Sequence, residues 1–429
     1  MTDTSAQPRR ASRRRRLLLF LVIAMVLLLV AYGGLDLWAG YKLRAQVARL
    51  EARYGSLNED TLRLRPVPAA DNRARVVRAA AALVIPGADT NKIYQFVSRE
   101  QSFPVPPDVR AFAEANQAAT NLAAEIRTRS QSSWEIEPRD AGNQPDLLEI
   151  RTLSTALYAT ALLEVEAGRA DEASKTVISG LAVAASLGQE WMLLPQLVRI
   201  AIAVQHFEAV EEVIVRSEPS KAALEEFARW LHESRLPDPM QNGVVGEMKI
   251  ANGGLETLET GGPRNPDALP DGTSFWTRMP ARLVGRPFIR LARLRLLTEV
   301  ERLLDGQSGP RPRSQSTYPA EFGFWDMPGR LADVYLAAFV RSIETGDMFI
   351  SALSATEIGV ALRRYRLDRG SYPDDLSALS PSYLATVPID PFTGKPPVYE
   401  RQGAGFTLHA ESGKSSAPIK SALDWKVDK

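Results

Sequence analysis

The chain has 429 residues, of which 45% are hydrophobic and 24% charged, with a formal net charge of +1 and no cysteine. This length is enough for two or more domains, and the small net charge gives the molecule as a whole no electrostatic attraction to nucleic acid. Without cysteine the chain has no disulfide, no thiolate metal ligand, no cysteine nucleophile and no cysteine for lipid attachment.

The N-terminus has the pattern of a membrane anchor. Residues 9–16 contain six arginines, and residues 17–35 then run without a charge until Asp36. An apolar run of this length is sufficient to cross a bilayer, and its basic flank favours an N-terminus that stays in the cytoplasm. The pattern predicts a basic cytoplasmic tail at residues 1–16 and a transmembrane helix at 17–37, with Trp38 and Tyr41 at the far interface.

Two alternatives for this segment stay open. Ala31-Tyr32-Gly33 is a weak small-x-small site at which a signal peptidase could cleave. Ser12-Arg13-Arg14 partly matches a twin-arginine signal.

Apolar residues at helical spacing predict a helical extracytoplasmic body over residues 41–325. The helix that follows the membrane segment is expected to reach Tyr54, and a later one to begin at an N-cap, Asp108, and run to about Arg129. A further helix at 240–260 is expected to be interrupted at Gly253-Gly254. Other predicted helices cover residues 72–83, most of 146–217, and 220–234.

Two segments of this body have a second interpretation. The helix-turn-helix around residues 168–173 resembles one tetratricopeptide-type unit, which is either part of a peptide-binding repeat array or an ordinary packed hairpin. Residues 278–297 contain six arginines and no acidic residue. A basic amphipathic helix there either lies on an anionic membrane surface or is a core helix with a solvated basic face.

The C-terminal region predicts a long helix followed by a small α+β module. The helix is expected over residues 328–368 and ends at Gly370, which suits a left-handed C-cap. A short helical turn at 376–384, an extended segment at 387–392, a turn at 393–396 and a hairpin over 398–409 follow.

Ten residues of this region stand at offsets typical of one family. They are Tyr365, Asp368, Gly370, Tyr372, Pro373, Asp390, Pro391, Phe392, Gly394 and Tyr399. The pattern resembles the C-terminal half of bacterial type II secretion pseudopilins, especially the major pseudopilin, over residues 365–411. The chain as a whole also resembles bacterial single-pass membrane proteins that pair a helical body with this motif.

The resemblance implies a structural motif, since glycine, proline and tyrosine at fixed offsets specify a turn scaffold rather than chemistry. It also implies association with a secretion or pilus-type machine. The chain differs from pseudopilins in its apolar run, which contains no glutamate and follows arginines instead of a prepilin-peptidase site. The calcium site of major pseudopilins is not expected, because residues 411–424 contain only two acidic side chains, Glu411 and Asp424.

The sequence predicts no catalytic, cofactor-binding or metal-binding residue. His206, His232 and His409 have no metal-ligand spacing, and no nucleophile elbow or phosphate loop is present. The clustered carboxylates Glu164 with Glu166, and Glu208 with Glu211 and Glu212, are expected on solvated helix faces.

These observations predict a mainly α protein with an N-terminal transmembrane helix and an extracytoplasmic helical body. Residues 326–429 are predicted to form the long helix plus a small pseudopilin-like α+β C-terminal module. The expected location is the bacterial inner membrane, with a single span and the bulk of the chain in the periplasm. The expected role is structural or interaction-based, with the lipid bilayer and envelope proteins as partners and no cofactor. An envelope hydrolase with an unrecognised site, or a helical peptide-binding scaffold, are the alternatives.

Overall fold

The structure, a computed structural model, describes residues 8–62, 64–87, 103–135, 146–235, 238–260, 285–305, 327–410 and 424–428. These residues form mainly helices and one small antiparallel sheet, as the sequence predicts. In chain order the helices are α1 (Pro8–Tyr54), α2 (Arg73–Ala81), α3 (Pro107–Ala115), α4 (Gln117–Ala123), α5 (Leu147–Glu166), α6 (Ala170–Ser186), α7 (Leu193–Arg216), α8 (Lys221–Ser234), α9 (Pro239–Thr260), α10 (Arg286–Asp305) and α11 (Met327–Arg369). The strands are β1 (Val398–Gln402), β2 (Gly405–His409) and β3 (Asp424–Val427).

The chain divides into two units. The first comprises the described residues of Met1–Leu57, Ala251–Glu301 and Ala320–Leu336. The second comprises the described residues of Asn58–Ile250, Arg302–Pro319 and Ala337–Lys429, so the larger part of the predicted helical body and the C-terminal sheet belong to one unit.

In the first unit, α1 is one helix with two kinds of surface. An 18-residue window near its N-terminus has a mean hydropathy of 2.8 and no buried residue, and it is long and apolar enough to cross a membrane. Further along, Ala39, Leu43 and Leu50 are buried because their spacing places them on one face. The same helix therefore offers an exposed apolar span and then a packed amphipathic segment that ends at Tyr54, as predicted.

The centre of the second unit is formed by α5, α6 and α7, each of which packs against the other two. Asp146 caps α5, and its carboxylate accepts hydrogen bonds from the amides of Leu148 and Glu149. Gly168 adopts φ +72° in the turn before α6, a left-handed conformation that glycine adopts without a steric penalty. The predicted hairpin around residues 168–173 is thus confirmed.

The next helix, α8, is capped by Ser220, whose side chain accepts a hydrogen bond from the Ala223 amide. It packs against α6. Among the described helices, α7 and α8 do not form a second hairpin of the kind that α5 and α6 form. The peptide-binding repeat array therefore has no further repeat in this part of the structure to support it.

Two predictions about helix boundaries were wrong. Asp108 is not an N-cap: it lies in the first turn of α3, which begins at Pro107 and ends before Asn116. The interruption at Gly253-Gly254 is absent, since α9 is continuous from Pro239 to Thr260. Burial of Ala251 and Leu255 outweighs the helix propensity cost of about 1 kcal/mol for each glycine.

The C-terminal module begins after α11, and its described residues are 370–410 and 424–428. The sheet has the order β1-β2-β3 with antiparallel pairing throughout. Tyr399 lies opposite Leu408, which in turn lies opposite Trp425. The predicted hairpin is confirmed, whereas β3 was not predicted.

Candidate functional site

The end of α11 brings the first motif residues together. Gly370 ends the helix with φ +80°, and its amide donates to the Arg366 carbonyl oxygen at 2.8 Å, which confirms the predicted C-cap. The Asp368 carboxylate accepts from Lys221 Nζ of α8 at 2.9 Å and from the Tyr383 hydroxyl at 3.1 Å. The hydrogen bond from Lys221 is the main cause of a pKa of Asp368 below its usual value.

Tyrosines hold the segment after this helix against the sheet. The Tyr372 side chain is 1% exposed, and its ring lies edge-on to Phe406 at a centroid distance of 4.8 Å. The Tyr399 hydroxyl donates to the Pro373 carbonyl oxygen at 2.7 Å, which joins β1 to the turn after α11. Burial raises the pKa of Tyr399 to about 12, so this hydroxyl keeps its proton and remains a donor at neutral pH. The rings of Tyr365 and Tyr383 lie 5.5 Å apart between centroids and are tilted by 56° to each other.

The second half of the motif is organised by Asp390, which is 1% exposed. One carboxylate oxygen accepts from the Phe392 amide at 2.7 Å, and the other accepts from Ser351 Oγ of α11 at 2.8 Å. Its backbone amide donates to the Lys395 carbonyl at 2.8 Å, and its carbonyl accepts from the Gly394 amide at 2.8 Å. Both carboxylate oxygens are therefore used to close a turn and to attach it to the long helix, with Pro391 inside that turn.

The sheet packs on α11 through a close contact at Gly359. A Cβ atom at Gly359 would lie 2.3 Å from Cζ3 of Trp425, so only glycine allows the ring to lie on the helix. Trp425 and Val427 are buried, while Asp424 and Lys426 between them are exposed. This alternation is the sequence signal that could have identified β3.

The C-terminal module is attached to the helical body by α11. The Phe207 ring of α7 lies 5.8 Å from that of Phe349 in α11. Arg235, which follows α8, forms an ion pair with Glu357 of α11. Together with the Lys221–Asp368 pair, these contacts fix α11 between the helices of the body and the sheet.

The prediction that the clustered carboxylates lie on solvated helix faces holds for Glu166, which is exposed, whereas the other four are half-buried. Burial raises the pKa of Glu164 above its usual value. Burial also raises the pKa of Glu211 well above its usual value, and the charges of Glu212, Glu208 and Asp424 add to this effect. The helix positions were known from the sequence, but the elements that pack over these positions were not.

A buried carboxyl that the sequence did not single out lies in the turn between α6 and α7. Glu190 is 1% exposed, and neither of its carboxylate oxygens meets a donor at hydrogen-bond geometry among the described residues. Burial raises the pKa of Glu190 to about 7, against a smaller opposing effect of the Trp134 backbone amide. The turn is fixed by its backbone, since the Glu190 carbonyl accepts from Asn242 Nδ2 at 2.8 Å.

The histidines differ in their surroundings. His206 is fully buried, with Nδ1 3.0 Å from the Ile202 carbonyl oxygen, and burial lowers its pKa to about 4. It is therefore a neutral core histidine. His232 is exposed on α8, and His409 of β2 pairs with Asp424 of β3. Within the described part of the chain, no group of three or more potential ligands could hold a metal ion.

In the first unit the arginines of α10 form a buried ion-pair network. Arg290 donates to Glu259 Oε1 through Nε at 2.6 Å and contacts Asp36 Oδ1 through Nη1 at 2.9 Å. Arg293 donates to Glu259 Oε2 at 2.5 Å and lies 3.2 Å from Glu256 Oε2. The side chains of Arg290 and Arg293 are 11% and 7% exposed, so this face of the helix is neither solvated nor free to lie on a membrane.

For Arg290 and Arg293, both interpretations of the arginine-rich stretch are therefore wrong: these side chains neither lie on a membrane surface nor form a solvated basic face. Arg278 and Arg282 of that stretch lie outside the described residues, as does Glu411 of the loop considered for calcium. Burial acts to raise the pKa of Glu259, but the hydrogen bonds from Arg290 and Arg293 outweigh it and the pKa lies below its usual value.

The motif residues therefore form a structural scaffold. In the described chain their side chains are used in turn closure, helix attachment and core packing, and the arrangement has no geometry of nucleophile and base. No family model, curated protein or solved structure matches the chain.

Proposed function

We propose that this chain is a single-pass protein of the bacterial inner membrane that acts as a structural or interaction component. Residues 1–16 remain in the cytoplasm, and the helical body and the C-terminal module lie on the periplasmic side. The observation that carries the proposal is α1 itself, in which an apolar segment with no buried residue continues as one helix into a packed segment. A membrane span that leaves the bilayer as a rigid helix fixes the orientation of the attached unit relative to the membrane.

The C-terminal module is the surface proposed for docking. Among the described residues β1 is an edge of the sheet, and Val398, Glu400, Arg401 and Gln402 on it are exposed. An edge strand offers unpaired backbone groups to which an extended segment of another protein can add. The resemblance to pseudopilins suggests that the partner is a component of a secretion or pilus-type machine.

The use of motif side chains in holding the fold together supports an interaction role over a catalytic one. Two motif side chains that could exchange a proton, those of Asp390 and Tyr399, are engaged in hydrogen bonds that hold the fold together. A module built in this way presents a rigid surface, which lowers the entropy cost of docking.

A photocrosslinking experiment tests the docking role. A benzoylphenylalanine at Glu400, on the exposed strand β1, is compared in cells with the same residue at Lys175, which is exposed on α6. The proposal expects a specific adduct from Glu400 to a secretion or pilus component and none of that kind from Lys175. Adducts from Glu400 only to the chain itself, or the same adducts from both positions, would contradict it.

A further inference from the structure

Contacts in the first unit show that α10 runs beside α1 in the same direction. Near one end, Arg290 Nη1 is 2.9 Å from the Asp36 carboxylate. Towards the other end, Gln46 Nε2 donates to Glu301 Oε2 at 2.7 Å. The two contacts are separated by 46 − 36 = 10 residues on α1 and by 301 − 290 = 11 residues on α10. The two helices therefore stay side by side between these contacts.

This register places the start of α10 at a defined level. Asp36 is the first charged residue after the apolar run, so it marks the point at which α1 would leave the bilayer. Arg290 and Arg286 both reach Asp36, at 2.9 and 3.9 Å. The first turn of α10 therefore lies at the boundary between hydrocarbon and headgroups, and the rest of the helix rises away from it.

The side chains at this level suit a headgroup layer. Trp38 and Tyr41 of α1 are 51% and 65% exposed, and these residue types favour the membrane interface. On α10, Phe288 is 41% exposed and the Arg286 side chain is 49% exposed. A guanidinium group binds phosphate oxygens in bidentate geometry. The Arg286 guanidinium lies 3.9 Å from the Asp36 carboxylate, so it is able to bind a phosphate as well.

We propose that the first turn of α10 enters the lipid headgroup layer beside the span, with Arg286 on a lipid phosphate and Phe288 among the upper acyl chains. The inference rests on the proposed membrane span. The proposed arrangement differs from a helix that lies flat on the membrane surface, because Arg290 and Arg293 are buried in the first unit, where they pair with Glu259. The first unit would then meet the membrane at two helices, which restricts its tilt and rotation.

Depth-dependent fluorescence quenching tests this inference on the full chain, which has no cysteine to remove. Single cysteines at Phe288, Trp38 and Thr298 are labelled with an environment-sensitive dye. The protein is placed in vesicles of phosphatidylcholine and phosphatidylglycerol that contain nitroxide-headgroup lipid. Thr298 is the matched control, since it is exposed on the same helix and lies ten residues, about 15 Å, further from the first turn.

The inference expects strong quenching at Phe288 and Trp38 and little at Thr298. Quenching at Trp38 without quenching at Phe288 would overturn the inference and leave the span intact. Quenching at all three positions would mean that α10 lies flat, which also overturns it. No quenching at Trp38 would remove the membrane span and, with it, this inference.

A charge substitution tests the role assigned to the guanidinium. Arg286→Gln is compared with Arg302→Gln, which removes the same charge from an exposed position near the far end of α10. A basic side chain at an anionic surface strengthens attraction about five-fold. We expect Arg286→Gln to weaken the attraction of the first turn to the anionic headgroups about five-fold and so to reduce quenching of a dye at Phe288. Arg302→Gln should leave this quenching unchanged. Equal effects of the two substitutions would overturn the assignment to lipid phosphate.

Discussion

The buried carboxyl of Glu190 predicts a specific dependence of stability on pH. Burial raises its pKa from 4.5 to about 7 in the folded chain. Well below pH 4.5 the carboxyl is protonated in both states and does not affect the free energy of unfolding. As the pH rises, the unfolded chain loses this proton first, so stability falls until the folded-state pKa is passed.

The size of the effect follows from the shift. Each pKa unit corresponds to about 1.4 kcal/mol, so the free energy of unfolding should fall by about 3 kcal/mol through this group. Glu190→Gln keeps the shape of the protonated side chain and cannot ionise. The variant should therefore match the native chain in stability at acid pH and exceed it by about 3 kcal/mol at mildly alkaline pH.

Urea unfolding of the detergent-solubilised full chain, followed by tryptophan fluorescence over this pH range, measures the difference. Glu114→Gln, at an exposed position on α3, is the matched control and should leave the pH dependence of the native chain unchanged. If Glu190→Gln and the native chain lose stability in parallel as the pH rises, the carboxyl is not held protonated by burial.

Four further substitutions, at three positions, test the scaffold and the ion-pair network, each by urea unfolding with the native chain as reference. Asp390→Ala removes the acceptor of two buried hydrogen bonds and should cost about 2–4 kcal/mol, whereas Asp390→Asn, which keeps one acceptor oxygen, should cost less. Gly370→Ala places a Cβ at φ +80° and should lower the free energy of unfolding by about 1 kcal/mol. No change would mean that the left-handed conformation at this C-cap does not require glycine. Arg290→Met leaves Glu259 buried with fewer donors and should cost about 3–5 kcal/mol at neutral pH. The pKa of Glu259 is lowered in the folded chain, so its ion pair with Arg290 stabilises the fold above the unfolded-state pKa and ceases to do so on acidification. The destabilisation caused by Arg290→Met should therefore shrink towards acid pH. A destabilisation that does not change with pH would contradict the ion pair.

Local features were well predicted from the sequence because their causes are local. Gly370 was expected to end the long helix, and it does so with the left-handed conformation that its missing Cβ allows. The hairpin over residues 398–409 followed from alternation and turn residues in the same way. Such features depend on a few neighbouring residues, and packing at a distance did not overrule them.

Features that depend on distant contacts were predicted poorly. The helix through Gly253-Gly254 is held by burial of Leu255, which the local glycine signal cannot reveal. The pairing of Arg290 and Arg293 with Glu259 joins residues more than thirty positions apart, 293 − 259 = 34, so the arginine-rich stretch looked solvated or membrane-bound. Strand β3 was missed because four residues give a weak alternation signal without the sheet that buries Trp425.

In the proposed topology the chain crosses the membrane once, and its C-terminal module lies on the far side. Single cysteines at Ser12 and at Glu400, in a chain with no other cysteine, test it in intact cells with a membrane-impermeant maleimide that passes the outer membrane. We expect labelling at Glu400 in intact cells and labelling at Ser12 only after the inner membrane is permeabilised. Labelling at Ser12 in intact cells, or protection of Glu400 until permeabilisation, would contradict it.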